Sequence, residues 1–191
     1  MAQFSQVVVD LVESAAQLKK IADHSYTKGE YEQAIETYKL TLDALKPLRG
    51  SSIGEFIAIK VFANQANAYL KMENFFPAIN AAKLALTIPS LLHDRHMTAK
   101  LLQRLAIALA GQHQLPDALD AVDRAISVGE TGLLSQLEEL REDVIKAITA
   151  TSIHPICPKP VPFTPEEIGS VISAMFECKG DVDVVISILS R

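Results

Sequence analysis

The sequence predicts an all-α chain: three consecutive helical hairpins, a further helix that closes the array, and a short helical pair at the C-terminal end. Two observations carry this. A pattern of small and aromatic residues recurs around Ala34, Ala78 and Ala118, and each occurrence is flanked by two segments with apolar residues at helical spacing. At 191 residues the chain can also bury a sizeable core, in one main domain plus a small appendage.

In chain order, the first turn is Lys28-Gly29-Glu30-Tyr31-Glu32-Gln33-Ala34. Its second helix carries Ala34, Ile35, Tyr38, Thr41 and Leu42 on one face. The next is Met72-Glu73-Asn74-Phe75-Phe76-Pro77-Ala78, followed by Ala82, Ala85 and Leu86; the third is Gln112-His113-Gln114-Leu115-Pro116-Asp117-Ala118, followed by Leu119, Val122, Ala125 and Ile126. A stack of hairpins leaves its last apolar face open and needs a helix with one polar side. Leu133, Leu134, Leu137, Leu140, Val144 and Ile148, with Glu138, Glu139, Arg141 and Glu142 between them, predict that cap over residues 131–149. The main domain therefore spans 1–150. Residues 151–163 read as a Pro-rich linker, poor in backbone donors. Thr164-Pro165-Glu166-Glu167 is a helix-start signal, and residues 164–191 read as a helical pair punctuated by Gly180 and Asp181.

The run Gly29-Glu30-Tyr31-Glu32-Gln33-Ala34-Ile35 with Tyr38 resembles the tetratricopeptide-repeat (TPR) family, and the likeness covers residues 15–128. Ala66 and Ala106 stand where that family often has Gly, and Phe62 and Leu102 where it often has Trp. The resemblance implies a right-handed superhelix of three repeats. The alanine anchors are 44 and 40 residues apart, so the excess over a thirty-four-residue unit is expected in longer loops or helix extensions at Pro47–Ser52 and Pro89–Asp94.

In such arrays the first helix of each unit lines the concave face. Counting back from the alanines places Lys19 and Asp23 from unit one, Asn64 from unit two, and Lys100 and Arg104 from unit three in one channel. This set resembles the dicarboxylate clamp of chaperone-binding TPR domains, whose pattern is Lys-x-x-x-Asn, then Asn, then Lys-x-x-x-Arg. The resemblance implies that Lys19, Asn64, Lys100 and Arg104 bind peptide carboxylates and that Asp23, Tyr26, Asn67 and Gln103 line the groove. It also implies a ligand, the C-terminal Glu-Glu-Val-Asp tail of a heat-shock protein 70 or 90. The chemistry fits independently, because a chain-terminal Asp carries two carboxylates within a few ångströms and their capture needs cationic and amide donors converging from several helices.

Asp23 departs from the pattern, since an ionised carboxylate offers acceptors only where the family has an amide donor. Three outcomes are open: Lys19 or Lys20 neutralises it and the clamp is weakened, the ligand brings a donor to it, or the clamp is degraded. The first is preferred, and it predicts weaker binding than in an Asp23→Asn variant. Alternative readings are a scaffold for a different peptide or for its own C-terminal segment, and a helical accessory subunit of an enzyme.

A net charge of −5 argues against sequence-blind binding to nucleic acid or anionic membrane. No apolar run reaches the length of about 18 residues that a membrane helix needs, and no basic residue precedes Lys19, so the expected location is cytoplasmic. No phosphate loop, nucleophile elbow or paired-carboxylate signature is present, which predicts a non-enzymatic chain without cofactor. His93 and His96 lie in an expected loop with no third ligand, so no metal is predicted. Cys157 and Cys178 read as reduced, structural thiols. Glu30, Glu32, Glu36, Asp117, Asp120 and Asp123 read as the solvated face of the outer helices.

Overall fold

Six helices pair as hairpins in chain order: α1 (Ala2–Thr27) with α2 (Tyr31–Ala44), α3 (Ser52–Lys71) with α4 (Phe75–Leu86), and α5 (Arg95–Gly111) with α6 (Leu115–Ser127), followed by α7 (Leu134–Ser152). The computed structural model describes residues 2–152, so the linker at 151–163 beyond Ser152 and the helical pair at 164–191, with Cys157 and Cys178, lie outside the described residues. The array up to Thr149 forms one unit.

Each hairpin turns through three residues, and the middle one adopts a left-handed backbone: Gly29 (φ 83°), Glu73 (φ 54°) and His113 (φ 59°). Asn74 N donates to Tyr69 O and Gln114 N to Leu109 O, both at 2.9 Å, which satisfies carbonyls that the helix end leaves open. The repeat thus preserves a backbone conformation even where the glycine that suits it is absent.

The alanine anchors are sites of close helix approach. Ala22 and Ala34, Ala66 and Ala78, and Ala106 and Ala118 are all fully buried. A larger side chain at any of them would push two helices apart. Around them, Ile59, Ala85, Leu91 and Leu101 join the second unit to the third. Ala99, Leu102, Ala125, Leu133 and Leu137 close the end of the stack. On α7, Leu137 and Val144 are buried as expected, but Leu134 is 37% exposed, because the helix begins at that residue and the short turn Thr131–Leu133 tucks Leu133 inward in its place.

The excess over the repeat unit goes partly into long first helices, 20 residues in α3 and 17 in α5, and partly into short 3₁₀ turns, at Lys46–Leu48 and Pro89–His93, that bury Leu48 and Leu91. Each leads into a capped helix. Ser51 Oγ accepts from Gly54 N at 3.1 Å, and Asp94 Oδ1 accepts from Met97 N at 2.9 Å. His96 accordingly sits in the first turn of α5 rather than in a loop, with its Nδ1 3.5 Å from Glu130. Helix α1 also runs well before residue 15: Val8, Leu11 and Val12 pack on Leu45 and Leu48, so this amino-terminal extension is anchored to the first connector.

Candidate functional site

The first helices of the three units lie side by side, α1 against α3 and α3 against α5. Three hydrogen bonds, each spanning 41 residues, tie them: Asn64 Nδ2 to Asp23 Oδ1 (2.8 Å), Asn67 Nδ2 to Tyr26 Oη (2.7 Å), and Arg104 Nη1 to Ala63 O (2.5 Å). Asp23, Tyr26, Asn64, Asn67 and Arg104 are therefore brought together across one face.

Asp23 is the hub of this face. Its Oδ1 accepts from Asn64 and from the Tyr38 hydroxyl at 2.6 Å, and its Oδ2 lies 2.6 Å from Lys19 Nζ. The pairing partner is Lys19 and not Lys20. With three donors on two oxygens, the carboxylate is neutralised and held without a ligand. Asn64 keeps one amide hydrogen and the Lys19 ammonium two, so neither is used up by the contact. Tyr38 is fully buried and was legible in the sequence only as a core residue. Its hydroxyl is the donor that the sequence reading missed, since helical spacing identifies the ring's burial but not the group its oxygen meets.

Burial, and then the hydrogen bond and charge of Asp23, push the Tyr38 hydroxyl far above the usual tyrosine range. It keeps its proton and stays a donor. Tyr26 is also raised, by burial and by Tyr31, whose ring centroid lies 5.4 Å away, against the opposing pull of Arg104 and Asn67. Its oxygen accepts from Asn67, and its proton has no acceptor among the described residues. Arg104 is lowered by burial and raised by the two tyrosines, yet a guanidinium remains charged in proteins. Ala63 O fixes its Nη1 and leaves other N–H groups for a ligand.

Two recesses open on this face, and Asp23 lines both. One, of about 230 Å³, is bounded by Tyr26, Thr27, Tyr38, Asn64 and Asn67. The other, of about 260 Å³, is bounded by Ala16, Lys19, Lys20, Phe56, Ile57 and Lys60. Lys100 is one helical turn before Arg104 on α5, half-buried, and no carboxylate among the described residues pairs with it. Gln103 reaches across to Gln136 of α7, with Nε2 3.4 Å from its Oε1.

No protein-family model and no curated protein matches the sequence. Solved structures do match. The C-terminal TPR-containing domain of an FK506-binding protein from Plasmodium falciparum superposes with a TM-score of 0.63 at 22% identity, over 74% of this chain and 93% of that one. The first TPR domain of Spaghetti (RPAP3), solved with an HSP90 peptide, gives 0.58 at 19% identity, over 72% and 94%. The second TPR domain of human RPAP3, solved with an HSP70 peptide, gives 0.51 at 22%, over 68% and 98%. The three hairpins and closing helix are thus a TPR fold.

Proposed function

We propose that this chain is a non-catalytic adaptor whose channel grips the carboxyl-terminal end of an acidic partner peptide, and that the partner is a heat-shock protein 70 or 90 ending in Glu-Glu-Val-Asp. The observation that carries the reading is the convergence on one face of Arg104, Asn64 and the Tyr26 hydroxyl with donors to spare, one helical turn from an unpaired Lys100. The terminal and side-chain carboxylates of one Asp together present four oxygens, and donors arriving from different helices can surround them from several sides. The pairing of Lys19 with Asp23 lowers the positive charge available in unit one, so the strongest attraction falls to α5. The heat-shock peptides bound to the Spaghetti and human RPAP3 domains support the choice of partner.

The variant that tests this is Lys100→Ala, compared with Lys46→Ala at an exposed lysine already paired with Asp43. Fluorescence anisotropy with a labelled Glu-Glu-Val-Asp peptide is expected to show about a tenfold loss for the first, in line with one charge-assisted hydrogen bond, and none for the second. Equal affinities in both variants and the parent would contradict the reading.

A further inference from the structure

We infer that Lys60 gives the channel a second anion site, which takes a carboxylate of the same peptide other than the terminal pair. The inference rests on the proposed carboxylate-binding channel and adds to it a residue and a recess that the clamp pattern does not contain.

Lys60 occupies the same place in its repeat as Lys100. Both stand eighteen residues before the alanine anchors of their units, Ala78 and Ala118, and both precede by four residues the polar group of their helix, Asn64 or Arg104. Unit two therefore repeats the layout of unit three, with a cation one turn before a donor.

The surroundings of Lys60 are those of an anion site. Its Nζ lies 3.9 Å from the centroid of the Phe56 ring, which orients the ammonium without neutralising it. It shares a recess with Lys19 and Lys20, and among the described residues neither Lys20 nor Lys60 has a carboxylate partner. The one acid among the residues lining the recess is Asp23, which is already paired with Lys19 and accepts from Asn64 and Tyr38. The pocket is therefore left with a surplus of positive charge, and Phe56 and Ile57 supply an apolar wall beside it. An acidic side chain with an aliphatic neighbour meets both features. Lys60 also offsets the cost of Asp23, since it returns to the channel the charge that the Lys19–Asp23 pair removes.

The test is a double-mutant cycle on the full chain, measured by calorimetry. One axis is Lys60→Met, with Lys60→Gln as a second variant and melting curves to confirm the fold. The other is a Met-Glu-Glu-Val-Asp peptide against the same peptide with both glutamates replaced by glutamine. The parent chain is expected to lose about fivefold on glutamine replacement, in the range of a partly exposed ion pair, whereas both Lys60 variants start about fivefold weaker and no longer distinguish the peptides. Variants that bind like the parent and keep its preference for glutamate would overturn the Lys60 site. Amidating the peptide's end separates this from the parent reading: indifference to amidation with the Lys60 coupling intact keeps the second site and overturns the terminal grip. Absence of binding to either peptide by the parent overturns both.

Discussion

Asn64 donates to Asp23 across 41 residues of sequence, at 2.8 Å, and so binds the second unit to the first through the acid that interrupts the clamp pattern. The consequence for function is that Asp23 works as an internal carboxylate. It bonds to Lys19, Asn64 and Tyr38, which ties this face together, and on the proposed function it would compete with a ligand's acid for those donors.

Replacing Asp23 by Asn separates these two effects. The amide oxygen can still accept from Tyr38 or Asn64, but the charge that holds Lys19 is gone. Affinity for an acidic peptide is expected to rise by about three- to tenfold, because one ion pair is released to the ligand. Stability is expected to fall by about 1 kcal/mol, since the network loses its charge-assisted bonds. Calorimetry and urea unfolding on the same sample read both; unchanged or weaker binding would contradict competition by Asp23.

Tyr38→Phe removes one donor to Asp23 and keeps the buried ring. A loss of about 1–2 kcal/mol is expected in urea unfolding at neutral pH. The tyrosine also predicts alkaline behaviour. Its folded-state pKa lies above the ordinary value of 10.0, so the folded state disfavours the charged form. The stability it contributes is complete below pH 10 and is lost as the pH rises from there towards the raised folded value. The phenylalanine variant should lose stability less steeply above pH 10 than the parent, as followed by unfolding midpoints across that range.

Glu73 and His113 hold the left-handed turn position that Gly29 fills in the first repeat. A side chain there is strained by about 1 kcal/mol, part of which the flexibility of an unfolded glycine gives back. Glu73→Gly is expected to stabilise the chain by about 0.5 kcal/mol, and His113→Gly to do the same. Thermal melts that fall in both variants would show that those side chains contribute more than their backbone costs.

The hairpins and much of the channel were legible because Ala34, Ala78 and Ala118 are packing constraints: a residue with no room beside it marks where helices cross, and positions counted from it inherit a direction. That is why the sequence alone puts Asp23, Asn64 and Arg104 on one face. Lys60 carried the same signal, eighteen residues before its alanine, and comparison of the repeats with one another would have found it. The hydroxyl of Tyr38 carried no such signal, because its meeting with Asp23 depends on how far α1 slides along α2. The connectors were legible only as a choice between open loop and helix extension, for a related reason. Pro47 and Pro89 announce a break in an α-helix but do not tell an open loop from a 3₁₀ turn that buries Leu48 or Leu91. Leu134 shows the limit of spacing alone, since an apolar residue at a helix start can face solvent when its neighbour is the one tucked in.

The central claim is that the channel recognises a carboxyl terminus, and a calorimetric titration of the full chain with a Glu-Glu-Val-Asp peptide and its C-terminally amidated counterpart tests it most directly. The account predicts micromolar affinity for the free acid and a loss of about tenfold or more on amidation, as one charged acceptor becomes a neutral amide. Equal affinity for the two peptides, or no binding of the free acid, would contradict it.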